Sequence, residues 1–359
     1  MPHGADSMPQ ARGQSDPTTP RRDLRTLLRR ADRPILMAVA GDSGSGKTTY
    51  THGIRRLLGA DMVSYISLDG YHKEDRATRR KTGRLPLDPR ANDLKLFKTH
   101  LQALRAGAAV EVPIYNHATG CFDEPRIIEP RPVIIIEGLH ALYPNFLPYY
   151  DFTLFVDTDR EIKWRWKFER DVHQRGHDPD EVRREMQRRE IAYLRWIDFQ
   201  KTHADVIVKI HESELSTLAP EGSDQSLPDS CYHMEVLVSP TSPPLPGLYM
   251  PVDFNALTRR DALPFMLANI PSTYLGRRIN AVHVDGIIPQ EAMRQLERGM
   301  MQYTGLDVDL AVSPTGDEPL ATLRFTQLVV AWPFLGHVGA LLRQWEEEAA
   351  DGQALPRDA

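Results

Sequence analysis

The chain has only two cysteines, Cys121 and Cys231, in 359 residues, which argues against a disulfide framework and fits a reducing compartment. It also lacks a strong charge bias: 44 Lys and Arg stand against 49 Asp and Glu, a formal net charge of −5. That balance gives no global attraction to nucleic acid or to an acidic membrane surface, so neither is expected as a partner and any basic site must be local. No run approaches the ~18 apolar residues of a membrane span, and the first thirty residues have no apolar signal core, so a cytoplasmic protein is expected. Internal repeats are also absent. Hydrophobic residues make up 41% of the chain, enough for a sizeable core, and the length suggests about two domains.

The most informative stretch is Gly41-Asp42-Ser43-Gly44-Ser45-Gly46-Lys47-Thr48-Thr49, a complete G-x-x-x-x-G-K-[ST] phosphate loop. Its flanks suit it. Ile35–Ala40 is a short apolar run fit for a buried parallel strand, and Thr48–Leu58 has helical apolar spacing. Gly41, Gly44 and Gly46 let backbone N–H groups close on phosphate oxygens at a helix N-terminus; Lys47 reaches the terminal phosphates and the Thr48 hydroxyl is placed for Mg2+. A nucleoside triphosphate is the implied ligand.

The order of elements gives the fold class. Strand signals at Ile35–Ala40, Val63–Leu68, Val133–Glu137, Phe152–Asp157 and Asp205–Ile210 alternate with helix signals at Thr48–Leu58, Asp93–Arg105 capped by Gly107, and Arg160–Gln174. Such alternation predicts an α/β fold of P-loop NTPase type, a mostly parallel sheet flanked by helices. Residues 1–30 read as a tail, partly disordered, with a short basic helix at Arg21–Arg30 leading into the first strand. Residues 31–212 read as the P-loop domain, and 213–231 as a linker rich in Ser, Pro, Gly and acidic residues. Residues 232–346 read as a smaller C-terminal α+β region, with strands at His233–Val238, Ile279–Val284 and Ala321–Phe325 and helices at Pro289–Met301 and Leu328–Trp345. Edge-strand pairing there predicts a homodimer.

Four further groups carry chemistry. Asp69 closes the second strand, at the sheet edge where ligands bind, and suits a base that takes a hydroxyl proton; without the phosphate loop it reads equally as a turn residue. Glu137 closes another apolar strand and suits a Mg2+ ligand, with Gly138 and His140 directed into the same crevice. Lys167, Arg170 and Asp171 share a helix face, with Arg175 following, which suggests a cationic lid over transferred phosphate; a solvated charged face is the ordinary reading of that spacing. Residues 73–90 hold seven basic side chains against three acidic ones, and Arg76 suits bidentate capture of an acceptor phosphate.

Together, GDSGSGKTT, LDGYHKEDR, PLDPRANDLKLF, PIYNHATG, IIEGLH and ERDVHQRGH closely resemble the phosphoribulokinases, strongly over about residues 34–210 and most like the longer branch of oxygenic phototrophs. The resemblance implies ATP-dependent phosphorylation of ribulose 5-phosphate to ribulose 1,5-bisphosphate, with Asp69 as base and Ser43, Lys47, Thr48 and Glu137 at nucleotide and metal. It implies substrate roles for His72, Arg76, Tyr115, His117 and His140, and a lid formed by Lys167, Arg170, Asp171 and Arg175. The regulatory cysteines of that branch are replaced by Ser45 and Ser67, so a thioredoxin-type switch at that pair is not expected. Two alternatives stand beside it: a nucleoside kinase resembling uridine kinase, and a nucleotide-binding regulator without catalysis.

Overall fold

The computed structural model describes residues 23–218, 227–240, 250, 264–305 and 321–354. The expected tail up to residue 22, and residues 219–226 of the expected linker, lie outside them.

Among the described residues ten strands follow in chain order: β1 (Ile35–Gly41), β2 (Val63–Ser67), β3 (Val110–Tyr115), β4 (Phe122–Ile128), β5 (Val133–Gly138), β6 (Phe152–Thr158), β7 (Val206–Glu212), β8 (Tyr232–Val238), β9 (Phe265–Tyr274) and β10 (Arg277–Gly286). Eight of them form one sheet in the order β2-β5-β1-β6-β7-β8-β10-β9. The first five in that order are parallel, and β8, β10 and β9 continue the sheet antiparallel. β1 and β5 are buried throughout, as unbroken apolar runs covered on both faces must be. Alternate β1 residues feed the two core layers, with Ile35, Met37 and Val39 on one face and Leu36, Ala38 and Ala40 on the other.

On the first face lie the helices Leu24–Arg30, Lys47–Leu58, Gln290–Thr304 and Ala321–Ala354. The other face is covered mainly by Leu94–Arg105, started by the Asp93 carboxylate on the Leu96 N–H. The Ala321–Phe325 stretch expected as a strand is the opening of the long helix, since five residues with alternating apolar character fit either period. That helix also departs from the expected absence of a span: Leu323–Ala349 is long and apolar enough to cross a membrane, but 67% of its most apolar window is buried inside the protein. Its apolar residues pack against the sheet and the phosphate-loop helix, while His337, Arg343 and Gln344 are exposed. The expected helix Arg160–Gln174 is α-helical only to Glu169 and then widens into a π turn, Arg170–Gln174.

β3 and β4 form a separate antiparallel hairpin whose register shifts at Pro113. There the Pro113 carbonyl presses on the turn after β2 so closely that a Cβ on Gly70 would lie 1.9 Å from it. Only glycine fits that contact, which fixes the hairpin over the carboxyl edge of the sheet.

Candidate active site

Parallel register brings the functional strand ends together: Ser67 lies beside Glu137, Ala40 beside Gly138 and Gly41 beside Val156. A cavity of about 1430 Å³ opens at this edge. From the phosphate loop, Ser43, Gly44, Gly46, Lys47, Thr48 and Thr49 line it. Gly44 and Gly46 take φ of 84° and 89°, so the loop turns through left-handed conformations and the helix begins at Lys47. The Lys47 ammonium donates to the Asp42 carbonyl at 2.7 Å, and burial pushes its pKa down against the pull of Glu137, Asp69 and Asp42.

Gly41, Asp42 and Ser45 stand behind the wall rather than in it. The Asp42 carboxylate is buried, accepting from Arg189 Nη2 at 3.0 Å and from the Ser43 N–H at 2.6 Å, with Lys163 Nζ at 3.2 Å. Burial alone would raise its pKa; the Arg189 and Lys163 charges and the hydrogen bonds outweigh that and lower it to about 2. Asp42 therefore ties the loop to the two helices that follow β6, and its carboxylate is not presented to a nucleotide.

Glu137 accepts from Thr48 Oγ1 at 2.9 Å on one oxygen, and from Thr51 Oγ1 at 3.0 Å and Tyr65 OH at 3.1 Å on the other. Two hard oxygens, the Thr48 hydroxyl and the Glu137 carboxylate, thus meet beside the phosphate cradle. Mg2+ usually takes one or two protein oxygens plus phosphate and water, so this donor set fits it, although no cluster of three or more metal-ligating side chains occurs among the described residues.

Asp69 stands on the short turn Leu68–Tyr71, which Ser67 caps. His117 Nε2 lies 3.0 Å from one Asp69 oxygen and His72 Nε2 3.9 Å from the other. Burial raises the Asp69 pKa, but the His117 hydrogen bond and the neighbouring cationic groups hold the carboxyl well below the usual carboxylate range. Asn92 Oδ1 fixes His72 through Nδ1 at 2.7 Å; Tyr115 packs edge-on against both His72 and His117, and Arg79 Nη2 donates to the Tyr115 hydroxyl at 2.7 Å. Arg76 Nη2 donates to the His117 carbonyl. The hairpin thereby carries Tyr115 and His117 to Asp69, and brings Arg126, a residue that no sequence signal marked, to the cavity wall.

Asp171 is the hub of the segment expected as a lid. It pairs with Lys167, with Arg170 Nε at 3.0 Å and with Arg175 Nη1 at 3.2 Å, and those cations keep its pKa well below the ordinary value although burial raises it. Arg170 also donates to Ser43 Oγ at 3.1 Å, joining this segment to the phosphate loop.

His140 is a further predicted residue that does not line the cavity. It is buried away from the cavity with Nε2 2.9 Å from the Leu87 carbonyl, because the chain turns inward after Gly138. Sequence reasoning missed Arg189, whose partner is 147 residues away, and Thr51 and Tyr65, which support Glu137. Thr51 stands one helical turn after Thr48, a spacing that could have marked it.

The model of the phosphoribulokinase/uridine kinase family matches residues 36–216, half of the chain. A phosphoribulokinase of Synechocystis sp. is 38% identical over 185 residues, 51% of this chain and 56% of the relative. The chloroplastic phosphoribulokinase of Arabidopsis thaliana is 34% identical over 226 residues, 58% and 56% of the two chains. The chain thus spans little more than half the length of these relatives. A uridine kinase of Chloroflexus aurantiacus is 34% identical over 186 residues, 48% of this chain and 86% of that one. Among solved structures, phosphoribulokinase from Rhodobacter sphaeroides superposes with a TM-score of 0.50 at 19% identity, covering 76% of this chain and 99% of its own, which supports the fold. A phosphate loop of this geometry, set in this sheet and within this match, makes the chain a member of the phosphoribulokinase/uridine kinase family.

Proposed function

We propose that the protein is a phosphoribulokinase, transferring the γ-phosphoryl group of ATP to ribulose 5-phosphate to give ribulose 1,5-bisphosphate. The observation that carries this reading is the charge state around Asp69. Arg76 and Arg79 line the cavity there, and among the described residues both donate to neutral acceptors, the His117 carbonyl for Arg76 and the Glu74 carbonyl and Tyr115 hydroxyl for Arg79, without an ion pair. A neutral nucleoside has no use for such guanidinium charge; a sugar phosphate does.

In this reading Asp69 accepts the proton of the attacking hydroxyl and aligns its oxygen. Ribulose 5-phosphate lies between His72, Tyr115 and His117, with its phosphate on Arg76. Lys47, Arg170 and Arg175 face the negative charge that develops on the transferred group. Thr48 and Glu137 would hold Mg2+, which supplies charge neutralisation on the phosphate oxygens. Asp171 keeps the lid cations in place rather than touching the proton in flight. A homodimer agrees with β9, an outer strand of the sheet that exposes Leu267 and Ile270, and a cytoplasmic location agrees with the two unpaired thiols.

The second reading, uridine kinase activity, rests on the Chloroflexus relative, most of whose length is matched. Measuring ADP release with ribulose 5-phosphate and with uridine decides between them. Ribulose 5-phosphate is expected to be preferred by roughly 10^2-fold or more in kcat/KM, and a preference for uridine overturns the assignment. Asp69→Asn is expected to lower kcat by ~10^2 to 10^4 with nucleotide binding retained; near-normal turnover removes Asp69 from the mechanism. Loss of all turnover in the unaltered protein, with ATP still bound, would point instead to a regulator.

A further inference from the structure

Of the stretch PLDPRANDLKLF, residues 86–97, only Pro86 lines the cavity, yet Asn92 is buried directly behind His72, which does. His72 and Asn92 pair as an isolated antiparallel bridge, and backbone bonds on either side hold them together. The Lys73 N–H donates to the Ala91 carbonyl at 2.9 Å, and the Asp93 N–H donates to the Tyr71 carbonyl at 2.7 Å. His140 adds another tie to the same loop through the Leu87 carbonyl, 2.9 Å from its Nε2, which gives that buried histidine a role behind the site.

The surroundings of His72 decide which ring nitrogen carries its proton. Asn92 Nδ2 lies 3.0 Å from the Pro86 carbonyl and 2.9 Å from the Asp88 carbonyl, and carbonyls only accept, so the amide nitrogen must face them. The amide oxygen therefore faces His72 Nδ1, at 2.7 Å, and it too only accepts. Nδ1 must donate. Burial lowers the His72 pKa against the pull of Asp69, so at neutral pH the imidazole is uncharged and has a single ring proton. With that proton on Nδ1, Nε2 keeps its lone pair, 3.9 Å from one Asp69 oxygen and beyond hydrogen-bond reach of it. His117 is the opposite case: its Nε2 lies 3.0 Å from the other Asp69 oxygen, a pure acceptor, and so must carry a proton. One histidine donates to the carboxylate and the other sets a lone pair beside it.

We propose that Asn92 is a positioning residue that holds His72 in its Nδ1–H tautomer, so that Nε2 faces the acceptor sugar as a hydrogen-bond acceptor beside Asp69. Two acceptors 3.9 Å apart, the Nε2 lone pair and the carboxylate oxygen, match a molecule that offers two hydroxyl donors. In ribulose 5-phosphate these are the C1 hydroxyl, which attacks the phosphoryl group, and the C3 hydroxyl across the ketone carbon. The opposite tautomer would turn an N–H toward Asp69, compete with the attacking hydroxyl for its oxygen and leave the second hydroxyl without an acceptor. The role toward the sugar rests on the phosphoribulokinase reading; the tautomer does not.

The tautomer is read without substrate, from long-range proton–nitrogen NMR spectra of the full chain with isotope-labelled histidine, the His72 signals being those missing in His72→Gln. The unaltered protein is expected to show His72 protonated at Nδ1 only. Asn92→Ala is expected to move that proton to Nε2, the form that imidazole favours without a partner, whereas Asn92→Asp, which retains an oxygen there, is expected to keep Nδ1 protonated. In Asn92→Ala, KM for ribulose 5-phosphate is expected to rise roughly fivefold or more, with KM for ATP within about twofold. An Nε2–H His72 in the unaltered protein, an unchanged tautomer in Asn92→Ala, or equal rises in both KM values overturns the proposal. The first of these outcomes needs no change at Asn92, so misfolding of a variant does not shelter the proposal. Absence of turnover with ribulose 5-phosphate in the unaltered protein overturns the acceptor reading instead, and the tautomer measurement still decides what Asn92 does.

Discussion

Replacing Arg189 with Met tests how the phosphate loop is held. In the folded protein the Asp42 carboxylate is buried and takes its charge balance from Arg189 and Lys163. Arg189→Met keeps most of the side-chain volume and removes one of those two cations. Breaking a buried ion pair by deleting one partner costs about 3–5 kcal/mol, and since Lys163 remains, about 3 kcal/mol is expected. The same interaction has a pH signature. The folded-state pKa of Asp42 is depressed from 3.8 to about 2, a difference worth about 2 kcal/mol. Because the folded value is the lower one, this stabilisation is fully present above pH ~4 and is lost as pH falls through ~2. Urea unfolding of the unaltered protein, Arg189→Met, Asp42→Asn and the double variant at pH 7.5, repeated across the acid range, reads both effects. The double variant is expected to recover part of the loss, because it no longer buries an uncompensated carboxylate. A loss below about 1 kcal/mol in Arg189→Met, or strictly additive single losses, would refute the reasoning.

Other outcomes follow from the site. Arg76→Ala is expected to raise KM for ribulose 5-phosphate by roughly tenfold or more, as loss of a charge-assisted phosphate contact of ~1.5–3 kcal/mol requires, with KM for ATP little changed; equal effects on both would make the basic segment mere solvated surface. Activity is expected to be the same after equilibration in oxidised and reduced dithiothreitol, since Cys121 is exposed, Cys231 is buried and both are unpaired. A reversible loss abolished by Cys121→Ser would show a thiol switch. Gly70→Ala is expected to lower kcat, because the Pro113 carbonyl leaves no space for a methyl group and the turn carrying Asp69 must move; unchanged kcat would show that the hairpin yields instead.

The phosphate loop and the parallel core were legible because their constraints are local. Three glycines, a lysine and a hydroxyl must occur at fixed spacing, and strands buried on both faces leave unbroken apolar runs. The hairpin was not legible as strands: Pro113 and Pro125 weaken that reading, and β4 is largely exposed, so its sequence has no core-facing alternation. The C-terminal strands look independent in sequence because the linker precedes them, whereas in space β8 pairs with β7 and extends the same sheet. Arg189 and Tyr232 illustrate the larger limit. Each acts on a residue far along the chain, Asp42 and Trp166, and neither occupies a motif. His140 sits within a motif and points elsewhere, since a motif fixes the backbone path more firmly than the direction of every side chain on it.

Asp171, at the centre of the lid cations, has a consequence for how the site meets its ligand. Lys167, Arg170 and Arg175 would repel one another if gathered around an empty space, and a segment carrying them would spread into solvent. One buried carboxylate at their centre serves as a resident counter-anion, so the cluster assembles with the fold, before any triphosphate arrives. Three cations around a single anion still leave an excess of positive charge, oriented and largely withdrawn from water. In the proposed transfer, much of the reorganisation that water would have to undergo around a developing phosphate charge is thereby completed in advance.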